Sequence, residues 1–454
     1  MRLIIIGAGP GGYETAVAAA ARGVEVTIVS DGPVGGTCLN EGCIPTKCLC
    51  RNAALMDDLA KASSFGLENL SYEFDFKKVT SRKEEVVNGL RQGVEFLLKG
   101  KNITLLRGRA SFKDAHTVKV ALEDGSDAEV SGDYIIIATG SQSAMLPIPG
   151  AEHCITSKEI LDLENVPGKL CVIGAGVIGL EFASIFKSFG SEVTVLEYCK
   201  EILPRFDTDL SKRLKQSLSK RGITIETSAQ VMSVEKGPDG YKVNYQKKDA
   251  PAEVAADVVL MAVGRRPATG SLNLSEAGIE FTPKGIAVDK DMRTNVPHIF
   301  AIGDITGGYM LAHVATFQGK RALAAILGEE SKVNLGVVPA AVFTSPEAAT
   351  VGLSEDECKE KGIPVKCLKS FFRANGKAVS MDEPDGFVKL IVAGEGSEQP
   401  GRILGCHLFG AHSADIIQEI TALMSKGTSV EELASIVHAH PTLSEVLLAA
   451  AQSA

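Results

Sequence analysis

Two cysteines, Cys38 and Cys43, are the residues of this sequence whose type and spacing could do chemistry. If the segment between them is helical or turn-like, their Cα atoms fall within the range of about 4.4–6.8 Å that a disulfide bridges. A bridge so short and so close to a helix start would be strained, and therefore reducible and catalytic rather than structural. Gly35, Gly36 and Gly42 beside them would let the backbone approach a flat ligand closely. Two buried thiols of a core helix are the alternative.

Length and composition limit the classes of protein to which the chain can belong. Its 454 residues suggest two to four domains, and 45% apolar with 23% charged residues are typical of an ordinary globular protein. The net charge of −9 argues against a general nucleic-acid binder. The apolar run after Met1 is interpreted as a first strand rather than a secretory signal, and no run of about 18 or more apolar residues follows. We therefore expect a cytoplasmic protein without a membrane span, whose other cysteines are reduced core thiols.

A strand, a glycine-rich turn, a helix and a second strand follow one another at the N-terminus. The strands are predicted over 2–7 and 24–29, with the helix over 13–22 between them. This is the order of a dinucleotide-binding βαβ unit, in which the helix start presents free N–H groups to a pyrophosphate. The turn supplies four candidate phosphate-binding residues, which are Gly7, Gly9, Pro10 and Gly12.

The same pattern occurs a second time, and this repeat is the main organisational feature of the chain. A strand over 169–173, a glycine turn, a helix up to Gly190 and a strand over 193–197 form the second unit. Glu197 would accept hydrogen bonds from both ribose hydroxyls and repel a 2′-phosphate, which favours NAD over NADP. The candidate phosphate-binding residues of this turn are Gly174, Gly176, Val177, Ile178 and Gly179. Two units imply two dinucleotides.

The first unit also needs an acidic residue at the end of its second strand to hold the ribose hydroxyls. That strand ends in Val29-Ser30-Asp31-Gly32. We assign the role to Asp31. The alternatives are that Ser30 occupies the position, or that Asp31 only starts the turn into Gly32.

The run from Gly35 to Lys47, GGTCLNEGCIPTK, resembles the redox-active segment of the pyridine nucleotide-disulfide oxidoreductases nearly residue for residue. Within that family it is most similar to the dihydrolipoamide dehydrogenases, and the resemblance extends over essentially the whole chain. It implies a redox disulfide in which Cys38 exchanges with substrate and Cys43 lies nearer a flavin. It also implies that Lys47 pairs with Glu181 beside that flavin.

The segment HAHPTLSE near the C-terminus resembles the catalytic histidine segment of the same family. There His440 would act as general base, and Glu445 would orient the ring and stabilise its imidazolium form. We interpret His438 as structural because it lacks a glutamate at the matching offset. Since the family is homodimeric, His440 and Glu445 are expected to reach the cysteines of the other subunit.

The glycine turns and the resemblance together define the expected cofactor sites, and no metal site is expected. The FAD site should contain Gly7, Gly9, Pro10, Gly12, Asp31, Gly36, Thr37, Lys47, Ala110, Thr139, Gly140, Asp304, Met310, Leu311, Ala312 and His313. The NAD site should contain Gly174, Gly176, Val177, Ile178, Gly179, Glu181, Glu197, Val231 and Gly264.

The sequence therefore predicts an α/β protein with two Rossmann-like dinucleotide-binding domains, for FAD and NAD, and a C-terminal α+β dimerisation domain. The expected divisions are an FAD domain at 1–145, an NAD domain at 146–266, a central segment at 267–334 that completes the FAD domain, and an interface domain at 335–454.

The resemblance implies oxidation of protein-bound dihydrolipoamide by NAD. The expected partner is a lipoylated acyltransferase of a 2-oxo acid dehydrogenase complex or the lipoyl carrier of glycine cleavage, with no nucleic acid or membrane. Another disulfide reductase of the family, glutathione-like or acting on mercuric ion, is the alternative, and a non-catalytic flavoprotein subunit is a third hypothesis.

Overall fold

The computed structural model describes all 454 residues of the chain. None of its helices combines the length and the hydrophobicity needed to cross a bilayer. The α-helices are α1 (Pro10–Ala20), α2 (Gly36–Asn40), α3 (Cys43–Ala60), α4 (Phe76–Leu98), α5 (Val177–Ser188), α6 (Thr208–Lys220), α7 (Ala312–Ile326), α8 (Glu355–Glu360), α9 (Gly376–Ser380), α10 (Ser413–Met424), α11 (Val430–Ser435) and α12 (Glu445–Ala451).

The strands form two parallel or mostly parallel sheets, two antiparallel sheets and two short two-stranded ladders. They are β1 (Arg2–Ile6), β2 (Glu25–Ser30), β3 (Ile103–Phe112), β4 (Thr117–Leu122), β5 (Asp127–Ser131), β6 (Tyr134–Ile137), β7 (Ser141–Ser143), β8 (Lys169–Ile173), β9 (Glu192–Glu197), β10 (Thr224–Thr227), β11 (Ala229–Gly237), β12 (Gly240–Lys247), β13 (Ala250–Ala256), β14 (Val258–Met261), β15 (Arg265–Pro267), β16 (Phe281–Thr282), β17 (Gly285–Ile286), β18 (Ile299–Ala301), β19 (Pro339–Val342), β20 (Ala348–Gly352), β21 (Val365–Phe371), β22 (Phe387–Ala393) and β23 (Ile403–Phe409).

The first sheet has seven strands in the order β18-β6-β1-β2-β3-β4-β5. Its members β18, β6, β1, β2 and β3 pair in parallel, and β4 and β5 extend the sheet antiparallel. Leu3 to Ile6 of β1 are each at most 3% exposed, as a central parallel strand covered on both faces must be. Because parallel strands end at one edge, Gly7, Thr139 and Gly303 meet there.

The second sheet is entirely parallel, in the order β10-β9-β8-β14. Apolar residues of α5 and α6 pack on one face, and the three-stranded antiparallel sheet β11-β12-β13 packs on the other. The ends of β8 and β9 therefore bring the second glycine turn and Glu197 to one edge, as in the first sheet.

The C-terminal part is a five-stranded antiparallel sheet in the order β19-β20-β23-β22-β21. Its core is formed with apolar residues of α10, α11 and α12. Strand β22 is buried along its whole length, and it contains one charged residue, Lys389.

The predicted α/β class, with two βαβ units and a C-terminal α+β part, is confirmed. The first helix begins earlier than predicted, at Pro10, because proline is favoured in the first turn of a helix. The antiparallel sheet begins at Ala229, because residues up to Thr227 belong to parallel β10. The divisions at 145, 266 and 334 stay predictions.

Candidate active site

The first glycine turn lies where β1 runs into α1. Gly7 has φ +111°, and a Cβ at this residue would lie 2.3 Å from the carbonyl oxygen of Ala138. Gly36 has φ +59°, and its Cβ would lie 2.6 Å from the Cα of Gly9. Glycine is required at both positions. The turn and the start of the redox segment thus pack backbone against backbone.

The second glycine turn is fixed by the carboxylate of Glu197. This carboxylate accepts hydrogen bonds from the backbone N–H groups of Ala175 at 2.6 Å and Cys199 at 2.7 Å. A carboxylate has about four lone-pair sites, so acceptor capacity is left for ribose hydroxyls. Gly176 caps the start of α5, whose free N–H groups face the same edge.

The two cysteines lie on consecutive short elements, with Cys38 in α2 and Cys43 as the first residue of α3. Both are free thiols. The pKa of Cys43 is lowered to about 7, chiefly by a hydrogen bond from the Cys38 thiol and further by the charge of Lys47, although burial opposes the shift. The same hydrogen bond and burial raise the pKa of Cys38. In the dithiol pair, these shifts favour ionisation of Cys43 over Cys38.

The expected pair of Lys47 and Glu181 is present. The Nζ atom of Lys47 lies 2.9 Å and 3.1 Å from the two carboxylate oxygens of Glu181, which comes from α5. Glu181 is buried, and its Oε1 also accepts the backbone N–H of Phe343 at 3.0 Å. Burial disfavours the charge of Lys47, but the Glu181 carboxylate outweighs it and raises the pKa of Lys47. The pair joins the redox helix, the second βαβ unit and the C-terminal part.

Asp304 takes part in a chain of polar contacts that the sequence did not indicate. The Ser141 hydroxyl donates to Asp304 Oδ2 at 2.5 Å, and Arg265 donates to Ser141 Oγ and to its carbonyl oxygen, each at 2.7 Å. The short ladder of β7 and β15 holds Ser141 opposite the Arg265 segment. A signal existed, because Ser141 and Arg265 directly follow Gly140 and Gly264, which were already candidates.

Ser30 and Asp31, the two candidates for binding the ribose at the end of β2, have different surroundings. Ser30 is buried, and its hydroxyl donates to the carbonyl oxygen of Gly32 at 2.9 Å. Asp31 is exposed, and its carboxylate lies 3.0 Å from Nε of Arg109. Asp31 is thus the available carboxylate at this position, and its assignment to a ribose stays a prediction.

The two C-terminal histidines have different surroundings. His440 is 79% exposed, and its Nδ1 lies 2.9 Å from Oε1 of Glu445, whose Oε2 accepts the N–H of Thr442 at 2.7 Å. These two contacts lower the pKa of Glu445. The side chain of His438 is 5% exposed, with Nε2 2.8 Å from Glu419 and Nδ1 2.9 Å from the carbonyl oxygen of Ile436. His438 therefore has a carboxylate partner, from α10 rather than from the expected offset.

A single cavity of about 3150 Å³ joins both glycine turns to the cysteine pair. All but two of the expected cofactor-site residues line it. Gly12 and Gly179 do not, because each lies beneath its turn, where a Cβ would be 1.9 Å and 2.1 Å from the first glycine's carbonyl oxygen. These two glycines serve helix packing rather than ligand contact. His440 and Glu445 do not line the cavity either.

The residues present fit two dinucleotides. Each turn leaves helix N–H groups directed at the cavity, and the Cβ position of Gly176 is open space. Between the turns, the cavity is bounded by Cys43, Lys47 and the start of α7 at Ala312, which provides further backbone N–H groups. A flavin and a nicotinamide could meet beside these residues.

Comparisons with known proteins agree with this architecture. Residues 1–319 match the model of the pyridine nucleotide-disulphide oxidoreductase family, and residues 338–451 match the dimerisation domain of that family. The dihydrolipoyl dehydrogenases of Staphylococcus aureus and Bacillus subtilis are each 41% identical to this chain, over 99% of it and 96% of the relative.

Among solved structures, the LpdA protein of Mycobacterium tuberculosis superposes with a TM-score of 0.91 at 29% identity, covering 100% of this chain and 99% of that one. The match to the family models covers both βαβ units and the C-terminal sheet. This chain belongs to the pyridine nucleotide-disulphide oxidoreductase family.

Proposed function

We propose that this protein is a dihydrolipoyl dehydrogenase, which oxidises protein-bound dihydrolipoamide to lipoamide and reduces NAD⁺. The observation that carries the proposal is the cavity in which Cys38, Cys43 and the pair of Lys47 and Glu181 lie between two dinucleotide turns. Relatives with 41% identity over nearly the full length are dihydrolipoyl dehydrogenases, which supports the substrate.

The working unit is a homodimer. The C-terminal part matches a dimerisation domain, and the exposed His440 lies outside the cavity that contains the cysteines. In the proposed dimer, His440 of one subunit reaches the cysteines of the other, held in its tautomer by Glu445. Neither subunit then has a complete site alone.

The thiol chemistry follows from the positions of these groups. His440 of one subunit takes the proton of a substrate thiol, and the resulting thiolate attacks Cys38 Sγ in the Cys38–Cys43 disulfide. The S–S bond breaks and leaves a thiolate on Cys43, which the nearby charge of Lys47 stabilises. The second substrate thiol then displaces Cys38, and its proton passes to the departing Cys38 sulfur. The substrate becomes a disulfide, Cys38 a thiol and Cys43 a thiolate, and the first proton stays on His440.

The positive charge of Lys47 stabilises the thiolate on Cys43, and Glu181 fixes the position of that charge. Bound FAD would supply the two-electron redox chemistry that links the cysteine pair to NAD⁺. Glu197 would select NAD⁺ by accepting ribose hydroxyls and repelling a 2′-phosphate. A lipoylated acyltransferase of a 2-oxo acid dehydrogenase complex, or the lipoyl carrier of glycine cleavage, is the proposed partner, and a cytoplasmic location is proposed with it.

An anaerobic stopped-flow experiment tests the proposal. The holoenzyme would be mixed with dihydrolipoamide, and then with NAD⁺ or NADP⁺ in parallel. We expect long-wavelength absorbance from a thiolate beside the flavin, followed by reduction of NAD⁺ but not NADP⁺. A flavin that stays oxidised with dihydrolipoamide would refute the substrate assignment and favour a glutathione-like or mercuric-ion reductase, whose substrates would be tested in the same way.

A further inference from the structure

A buried lysine of the C-terminal sheet forms an ionic cluster with the second βαβ unit. Lys389 is 2% exposed, and its Nζ lies 3.0 Å and 3.2 Å from the two carboxylate oxygens of Asp207, which is fully buried. Nζ also lies 2.9 Å from Asp209 and 2.6 Å from Glu355. Lys369 contacts Asp209 at 2.7 Å from a partly exposed position. We call these five residues the Lys389 cluster.

The charge of Lys389 is maintained inside the protein by its partners. Burial disfavours the ammonium, but the hydrogen bonds to Glu355, Asp209 and Asp207 outweigh it and raise the pKa of Lys389. The pKa of Asp209 is lowered to about 2 by its bonds to Lys369 and Lys389. A buried pair of this kind is costly to break, because the remaining charge cannot stay buried alone.

Asp207 is the point at which the cluster meets the nucleotide-binding unit. It caps α6 by accepting the backbone N–H of Asp209 at 3.0 Å. The segment directly before it, Leu203–Phe206, lines the same cavity as Gly174 and Gly176. The 203–206 segment thus forms a wall of the cavity beside the second glycine turn, and Asp207 directly follows this wall in the sequence.

This wall is bonded to the glycine turn itself. The N–H of Leu203, a residue with φ +47°, donates to the carbonyl oxygen of Ala175 at 3.0 Å. The N–H of Ala175 donates to Glu197 at 2.6 Å. Ala175 is thus held on one side by the ribose-binding carboxylate and on the other by the 203–206 segment. Non-glycine residues seldom adopt positive φ, so Leu203 keeps this conformation only while its surroundings impose it.

We propose that Lys389 is a positioning residue for nucleotide binding: by anchoring Asp207 it fixes the 203–206 segment against the second glycine turn. The C-terminal sheet, which matches a dimerisation domain, thereby sets the affinity of the NAD site in addition to building the dimer. The inference rests on the proposed function in taking NAD⁺ as the ligand of the second turn.

The Lys389→Met variant tests this role. It leaves Asp207 buried without its cation, so Asp207 must move toward water and displace the 203–206 segment. We expect the Kd for NAD⁺, measured by calorimetric titration of the oxidised holoenzyme, to rise about tenfold, equivalent to about 1.4 kcal/mol. The KM for NAD⁺ should rise with it, while flavin reduction by dihydrolipoamide stays within about twofold.

Two further variants separate positioning from general stability. Lys369→Met removes the cluster's other lysine, which contacts Asp209 but not Asp207, and should leave the Kd unchanged. The double variant Lys389→Met/Asp207→Asn keeps an N-cap oxygen and removes the uncompensated charge, so it should recover affinity to within about threefold of wild type. A structural role alone would change the melting temperature of these dimers and leave the Kd constant.

A folded Lys389→Met dimer whose Kd and KM for NAD⁺ equal those of wild type would overturn the inference. If that variant does not fold, Asp207→Ala replaces it, because Lys389 then keeps Asp209 and Glu355 as partners. Unchanged affinity in Asp207→Ala would likewise overturn it. A wild-type holoenzyme that binds no NAD⁺ would instead contradict the proposed function, so the two failures are distinguishable.

Discussion

Replacing Lys47 by methionine should shift the titration of Cys43 to higher pH. In the wild-type protein the pKa of Cys43 is about 7, and Lys47 is one of the groups that lower it. The variant loses this cation and leaves the buried Glu181 carboxylate, which disfavours the thiolate, without a neutralising charge. Both changes act in the same direction, since each destabilises negative charge on sulfur.

The magnitude follows from the two contributions together. We expect a rise of at least about one pKa unit, which corresponds to about 1.4 kcal/mol. At pH near 7, the thiolate fraction then falls from about one half to about one tenth. The assay is the pH dependence of the long-wavelength absorbance of the two-electron-reduced holoenzyme, because that absorbance requires a thiolate beside the flavin.

The double variant Lys47→Met/Glu181→Gln serves as control. It removes the repelling carboxylate as well as the cation, so its midpoint should lie between those of wild type and the single variant. If the single variant had the wild-type midpoint, the claim that Lys47 lowers the pKa of Cys43 would be refuted. Equal midpoints in the single and double variants would refute the part assigned to Glu181.

Three other outcomes are expected. His440→Gln should slow flavin reduction by dihydrolipoamide about 10²–10⁴-fold in stopped-flow assays, and leave flavin reduction by NADH within about twofold of wild type. The matched His438→Gln variant should keep both rates. If His440→Gln slowed both reactions equally, the general-base role would be contradicted. Glu197→Ala should reduce the preference for NAD⁺ over NADP⁺, measured as the ratio of kcat/KM values, at least about tenfold, because a carboxylate that repels a 2′-phosphate is removed. An unchanged ratio would exclude Glu197 as the residue that selects NAD⁺. Burial lowers the pKa of His407, so His407 is protonated at higher pH in the unfolded chain than in the folded one, and the free energy of unfolding decreases as pH falls below about 6.5, by at most about 1.4 kcal/mol per pH unit. His407→Gln should flatten the fall in melting temperature below that pH. An unchanged slope in this variant would refute His407 as the cause.

The βαβ units were predictable because their signals are local. A strand, a glycine turn and a helix succeed one another within about thirty residues, and each residue type is required by the backbone at its own position. The pair of Lys47 and Glu181 is different, since 134 residues separate its members. No spacing rule brings them together, and only the family resemblance indicated the contact.

Contacts between distant side chains account for what the sequence did not predict. Lys389 lies in the run FVKLIVA, whose apolar residues predict a buried strand but do not identify three carboxylates from elsewhere. Glu419, the partner of His438, lies 19 residues away on another helix, so the sequence around His438 does not indicate it. Gly12 and Gly179 were predicted as residues of the turns, but they lie in the first turns of α1 and α5, and the pattern alone does not separate glycines that touch a ligand from glycines that pack a helix.

The last parallel strand of the first sheet to be synthesised is β18, which begins at Ile299, more than 160 residues after β6 ends at Ile137. At about 5–20 residues per second, a ribosome needs roughly 10–30 s to make that stretch. During this time the β6 edge lacks its neighbour, whereas the second sheet, complete by Met261, can already close. The second sheet can therefore be complete while the first still has an unpaired apolar edge at β6, and this edge is open to wrong strand pairing until β18 emerges.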